Sequence, residues 1–582
     1  MRLLRRLLGV LFFFVPARLL AWRLSRRGRN TRAVLTLRLS GTLSEEHAAL
    51  RGEGRGWHPG ILEALRQAGE DASVQAIALR IGSLQAGWAQ LDEIRTALLE
   101  LRRKGRKVFA YLDRPGHAEY FLATAADHVA IAPMATLEML GLRAEVTFFK
   151  GALEQAGVTP HFLSAGEYKS YSEIFTREDM SAEHREALDV VLRGIHEAFV
   201  AAVAESRGLS VEAVQALVDR GPWTADEAEE QGLIDEVLYP NQWKSAIREE
   251  LGEEVPEDGA VEEGPDKLVF VGTFRFLRGH RVLQRLNHLV APKPKVAVLV
   301  AEGSIVESDA SQVAHGRIAR RPLVSVLRAL RKDEDVAAVV LRINSPGGSG
   351  LASDMIWHEL RRVAKKKPLV ASMGSVAASG GYYLAMAADE VLAAPLTITG
   401  SIGVVAGKFD AGELLGKLGV TRDVLSYGAN SGILSPTQGL TEAEQERLQT
   451  QIGAFYDAFV EKAADCRGIE PGQLERHARG RIWTGEQAAE RKLVDSTGTL
   501  SDAIRRAAVR AKLGPDFETW YAEPPRPGLL DRLQRLPLTN LGARTLRIES
   551  RILDVLDRVL GIALGDRPDP VQARLPFDLR IR

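Results

Sequence analysis

A single cysteine, Cys466, stands among 582 residues, so no disulfide can form within the chain. One thiol also leaves no cysteine–histidine cluster of the kind that holds zinc, and neither a metal nor another cofactor is expected. There is no excess of either charge, because 76 Lys plus Arg balance 76 Asp plus Glu. A nucleic-acid binder normally carries a basic surplus, and that class of partner is excluded. No run of 18 or more apolar residues occurs beyond the extreme N-terminus, which argues against a multi-span membrane protein. Apolar residues at 45% and charged residues at 26% are ordinary globular values, which excludes a disordered or collagen-like chain. The length calls for at least two domains.

The balanced charge is a sum of unlike parts. Residues 1–32 hold nine arginines and no acid, so the rest of the chain is net acidic. Within that leader, Leu7–Val15 is a nine-residue apolar core followed by Pro16 and Arg18. In a helix it spans about 13 Å, less than half of a hydrocarbon layer of roughly 30 Å. Three readings stay open: a signal anchor, an interfacial helix on anionic lipid, or an unusual cleaved signal. Membrane attachment is the expectation. Arginines flank the core on both sides and leave its orientation undetermined.

What is present is a repeat. Val34–Gly41 matches Val296–Gly303, Ala78–Ile81 matches Val340–Ile343, and Gly157–Thr159 matches Gly419–Thr421, all 262 residues apart. After a two-residue change, Trp223-Thr224 meets Trp483-Thr484 and Asp235 meets Asp495. A register held over some 200 residues marks a tandem duplication. Each copy alternates apolar β-branched runs, such as Ala337–Ile343 and Leu369–Met373, with helical patterns such as Leu323–Arg331 and Ser353–Lys365. That alternation implies βαβ units and mainly parallel sheets. The chain divides into a membrane-targeting segment (1–32), a first repeat (33–245), an acidic linker and hinge (246–294), a second repeat (295–512) and a tail (513–582). The tail carries an expected amphipathic helix near Thr545–Leu564.

The copies diverge where chemistry would be. The second has Asn344-Ser-Pro-Gly-Gly348 at a strand end, where the first has Gly82-Ser-Leu-Gln-Ala86. Paired glycines let backbone N–H groups face a developing oxyanion. The second also has Ser375-Val-Ala-Ala-Ser-Gly-Gly-Tyr-Tyr383, which places Ser379 at a strand-to-helix junction; the first has His117, Ala118 and Glu119 at the positions of Ser379, Gly380 and Gly381. Ser379 alone could be a helix cap. A cap needs no following Gly-Gly and no separate glycine loop, so the combination favours a nucleophile.

A serine needs a base. No histidine lies between Ser379 and His477. The first copy offers Lys169, in Ser164-Ala-Gly-Glu-Tyr-Lys-Ser170, and the second has Ser431 at the aligned position. The lysine is present where the serine is absent, and the reverse. A lysine serves as base only when burial lowers its pKa far enough to leave the amine neutral.

With these residues the sequence resembles the signal peptide peptidase A family, bacterial membrane-bound serine proteases also called protease IV, in its long tandem-domain form. The resemblance rests on Asn344–Gly348, Ala378–Tyr382, Thr399–Gly403 and Tyr168–Ser170, and it covers about residues 30–512. It implies an α/β fold, a tandem duplication of a Clp protease/crotonase-like unit, and a Ser–Lys dyad. Ser379 matches the nucleophile, Lys169 the base, and Ser401 the serine that hydrogen-bonds the base. Gly347 and Gly380 match the backbone donors of the oxyanion hole. It further implies a homo-oligomer, tetrameric in the long form, held by membrane lipid at the bacterial inner membrane with its body on the periplasmic side, and cleaving released signal peptides and other short hydrophobic peptides. Two alternatives remain at this level: a non-catalytic membrane scaffold, and a crotonase-like acyl-CoA hydratase or isomerase. The second would require paired carboxylates or an equivalent acid/base near the glycine loop.

Overall fold

The computed structural model describes residues 32–46, 55–253, 267–273, 275–277, 293–307, 316–522 and 571–574. The basic leader up to residue 31 and the helix expected at 545–564 lie outside the described residues.

Each repeat is built on a parallel sheet. In the first, the strands run Leu268–Gly272, Arg32–Ser44, Val74–Gln85, Lys107–Leu112, His128–Ile131 and Glu236–Val237, each parallel to the next. In the second, the order is Ile482–Thr484, Ile398–Gly400, Leu369–Ala378, Val336–Ser345, Lys295–Glu302 and Glu518–Ala522, parallel except for the antiparallel Ile482–Thr484 edge. Both sheets therefore extend past the expected repeat boundaries. Leu268–Gly272 lies in the stretch read as linker, and Glu518–Ala522 in the tail. Each adds an equivalent edge strand to its own sheet, where an apolar segment satisfies its backbone groups on the neighbouring strand.

The interior strands are apolar on both faces because both faces are covered. Helix Arg320–Lys332 turns Leu323, Val326, Leu327 and Leu330 inward, the spacing of one helical stripe. One face of the second sheet, through Val296, Val298, Val340 and Val370, shares a core with the first repeat and with helix Leu500–Arg510. The opposite face packs on helices Arg320–Lys332, Gly350–Ala364 and Glu442–Arg467.

A third, mixed sheet breaks the twofold character of the duplication. Its order is Arg317–Ala319, Ser304–Val306, Gly347–Ser349, Val571–Arg574, Val404–Asp410 and Thr159–Ala165. Thr159–Ala165 comes from the first repeat and pairs antiparallel with Val404–Asp410 of the second, with Ala165 opposite Val404 and Thr159 opposite Asp410. The counterpart of Thr159–Ala165 in the second repeat, residues 421–427, forms no strand, and neither does the counterpart of Val404–Asp410 in the first, residues 142–148.

Candidate active site

Ser379 sits where strand Leu369–Ala378 passes into helix Gly380–Ala385. Its φ is 56° and its ψ is −114°, a region that a non-glycine residue holds only when its surroundings enforce it, at a cost of order 1–3 kcal/mol. Its N–H donates to Gly400 O at 2.8 Å. A serine acting as a cap would accept from an N–H of the first turn, and Ser379 makes no such bond. Its Oγ instead lies 2.8 Å from Nζ of Lys169.

Lys169 follows strand Thr159–Ala165, and the strand's pairing with Val404–Asp410 carries it across to the second repeat. The turn that bears it is fastened there. Tyr168 N–H donates to Arg479 O at 2.8 Å, the Arg481 guanidinium stands 3.7 Å over the Tyr168 ring, and both side chains bond Glu186. Gly480 approaches so closely that a Cβ would lie 2.4 Å from Lys169 N.

Lys169 Nζ also lies 2.9 Å from Ser401 Oγ and 3.0 Å from Ser401 O. Ser379 and Ser401 are fully buried, and Lys169 is 2% exposed. Burial drives the amine well below its ordinary pKa, and no carboxylate opposes that. A neutral amine has two N–H bonds and one lone pair. Two donations to Ser401 and one acceptance from the Ser379 hydroxyl use all three.

The glycine loop stands beside the serine. A Cβ on Gly380 would fall 3.1 Å from Gly347 Cα and 2.7 Å from Ser353 Oγ, so only glycine lets the two segments meet. Gly347 has φ 101°. Its N–H is held by Ser345 Oγ at 3.1 Å. On its other side the strand Gly347–Ser349 pairs antiparallel with tail residues Val571–Arg574, which run between it and Val405–Ala406.

The equivalent place in the first repeat cannot do this chemistry. His117 stacks on Phe199 with ring centroids 3.6 Å apart, and neither ring nitrogen has a hydrogen-bond partner. Burial, with the charge of His196 adding to it, holds its pKa down at about 4. The buried Glu119 carboxylate, at the place of Gly381, accepts from Leu84 N–H at 2.6 Å, so a charged side chain stands where the second repeat has bare glycine backbone. Ser431, aligned with Lys169, lies in an exposed loop.

Sequence reasoning missed one buried feature behind the site. Arg342 lies in the strand that leads to the glycine loop, fully buried. It bonds Glu45 and Glu93 of the first repeat at 2.5–3.1 Å, and Ser372 Oγ and Met373 O of the strand that leads to Ser379. Burial pushes the Glu45 carboxyl up, but the charges of Arg342 and His58 overcome this and hold it far below the usual carboxylate range. The available signal was a lone arginine inside the apolar run Val339-Val-Leu-Arg-Ile343. It is hard to use, because its repeat partner Arg80 makes only a partly exposed pair with Asp113.

The sequence has counterparts among known proteins. The model of peptidase family S49 matches residues 100–252 and 361–514, one stretch in each repeat. The chain belongs to peptidase family S49. A Clp protease model matches residues 310–398, which fixes the fold of the second repeat. "Serine protease SPPA, chloroplastic" of Arabidopsis thaliana is 31% identical over 95% of this chain and 78% of its own length. "Protease 4" of Haemophilus influenzae is 32% identical over 77% of this chain and 72% of its own length. Together these make the S49 chain a serine peptidase of the signal peptide peptidase A type in its tandem form, and leave the hydratase reading without support. Among the described residues no helix is long and apolar enough to cross a membrane.

Proposed function

We propose that this S49 peptidase cleaves peptides with a Ser–Lys dyad, Ser379 as nucleophile and Lys169 as general base. The observation that carries the reading is the 2.8 Å contact between two buried side chains supplied by different repeats of one chain. Neutral Lys169 takes the Ser379 proton as Oγ attacks the peptide carbonyl, then gives it to the leaving amine. Lys169 next activates water to release the acyl group. Ser401 holds the amine in line. The N–H groups of Gly347 and Gly380 stabilise the oxyanion, for which Gly347 must exchange Ser345 Oγ for the substrate oxygen.

The substrates in this reading are released signal peptides and other short hydrophobic peptides. The enzyme is a homotetramer held at the inner membrane by its basic leader, with the body on the outer side. The resemblance carried by the motifs at Ala378–Tyr382 and Asn344–Gly348 supports this reading.

A fluorophosphonate probe tests it. Labelling should map to Ser379, vanish in S379A and fall steeply in K169A, with peptide cleavage following the same order. Labelling elsewhere, or full cleavage by K169A, would overturn the dyad. An unlabelled, inactive wild type would make the chain a scaffold.

A further inference from the structure

The strand that carries the nucleophile and the strand that leads to the glycine loop fall out of step just before the site. Val336–Ser345 and Leu369–Ala378 pair residue for residue from Val339 opposite Leu369 to Ile343 opposite Met373. The next partners are Ser345 and Ala377, so Gly374, Ser375 and Val376 stand against the single residue Asn344. Such a bulge interrupts the hydrogen-bond ladder and re-aims the strand beyond it. Ser379 lies just beyond this one on its strand, and Gly347 just beyond it on the other.

Asn344 fills the bulge. Its Oδ1 accepts from Val376 N–H at 3.2 Å, and its Nδ2 donates to Glu302 Oε1 at 3.2 Å. A donor on one side and a carboxylate on the other leave the amide one orientation. The buried hydroxyls of Thr397 and Thr399 donate to Gly374 O at 2.8 Å and Ala377 O at 2.7 Å, which satisfies two of the carbonyls. Glu302 is held in turn by the first repeat. It accepts from Ser44 Oγ at 2.7 Å and from the N–H groups of Glu45 and Glu46 at 3.1–3.2 Å.

The first repeat has no such device. At 262 residues' remove, Asn344 becomes Gly82 and Glu302 becomes Ser40. Strands Val74–Gln85 and Lys107–Leu112 there pair without a register shift, from Ala76 opposite Lys107 to Ile81 opposite Leu112, and the second strand stops at that point. The bulge and the side chains that fill it accompany the nucleophile.

We propose that Asn344 and Glu302 are positioning residues for peptide hydrolysis. They hold the bulge so that Ser379 Oγ and the Gly347 N–H meet the same substrate carbonyl. The proposal rests on the dyad reading above and adds a second dependence on the first repeat. Lys169 brings the base across, while the end of strand Arg32–Ser44 holds Glu302 and, through it, the offset between the two catalytic strands. A misplacement of 1 Å costs about 100-fold in rate, and a lost oxyanion donor about 100- to 1000-fold. Asn344→Ala loosens the offset without deleting a donor, so kcat should fall about 10- to 100-fold.

Four variants of the full chain test this: N344A, N344D, N344D/E302Q and K169A. N344A should lower kcat with KM within about twofold of wild type. Its kcat/KM should keep the wild-type pH midpoint, because nothing around Lys169 has changed. Inhibition by a peptide aldehyde, whose adduct needs both Oγ and the oxyanion donors, should weaken in proportion to kcat/KM. N344D keeps the acceptor for Val376 N–H but sets a second carboxylate against Glu302, so its kcat should also fall. Glu302→Gln then returns a donor to that contact, and N344D/E302Q should regain at least about tenfold over N344D. Wild-type kcat in N344A, a loss confined to KM, a pH midpoint moved to the ordinary lysine range, or no regain in the double variant would each overturn the proposal. If N344A does not fold, N344D and the double variant decide it. K169A keeps the two readings apart. An active K169A beside an impaired N344A removes the dyad and leaves the bulge in place, and an inactive K169A beside an unimpaired N344A does the reverse.

Discussion

The buried charge cluster behind the site allows a quantitative forecast. Arg342→Met removes the guanidinium and leaves Glu45 and Glu93 facing each other with neither side chain exposed to water. Glu45 keeps His58 and Gln90, and Glu93 keeps the Leu500 N–H at 2.7 Å, so neither is wholly stranded. Breaking a buried pair of this kind costs about 3–5 kcal/mol. The exposed pair Arg66–Glu70 gives a control, since such i,i+4 contacts are worth about 0.3–0.5 kcal/mol. Urea unfolding followed by tryptophan fluorescence should show the first transition of R342M displaced by the larger amount and that of R66A hardly at all. The triple variant R342M/E45Q/E93Q should recover more than half of the loss, because the uncompensated charges are gone. A loss below about 1 kcal/mol in R342M, or no recovery in the triple variant, would refute the reasoning. Either result would mean that apolar contacts alone hold the two repeats together here.

Four further expectations follow from the geometry. Because burial lowers the Lys169 pKa, the active neutral amine accumulates as pH rises, and kcat/KM should climb through that lowered value to a plateau. The unfolded chain binds the proton up to its ordinary lysine pKa, so wild-type stability should rise with pH across that window; K169M should remove the slope, and a flat difference between the two would exclude a buried neutral lysine. Ser401→Ala removes one of three contacts to Nζ, a hydrogen bond worth about 0.5–1.5 kcal/mol, and kcat/KM should fall about 2- to 13-fold; a variant as inactive as K169A would give Ser401 a larger part. Ala573→Pro removes a backbone donor from the tail strand lying between Gly347–Ser349 and Val405–Ala406, so KM for a short peptide should fall at constant kcat; an unchanged KM would mean that the tail does not compete for the cleft.

The βαβ alternation was readable wherever a strand is covered on both faces. Val336–Ser345 and Leu369–Ala378 announce themselves as apolar runs, and helix Arg320–Lys332 by its 3.6-residue stripe. The short strands were not readable. Leu268–Gly272 follows a strongly acidic stretch, and Gly347–Ser349 reads as a turn, because a strand this short is defined by the neighbours it pairs with rather than by its own side chains. The same limit hid Arg342. Its repeat partner Arg80 has the same identity in a half-exposed setting, and only packing on the first repeat buries one of the two.

The sequence by itself determined that the chain is two copies of one α/β unit, and that serine and lysine were lost in a complementary pattern. Those properties are local and survive in the residue order. The tertiary structure decided that Lys169 reaches Ser379 within a single chain, and that the amine is buried away from any carboxylate. It also decided that strand Thr159–Ala165 of the first repeat pairs with Val404–Asp410 of the second. Distance, desolvation and strand pairing depend on which segments meet across some 200 residues of sequence, and no local pattern records that.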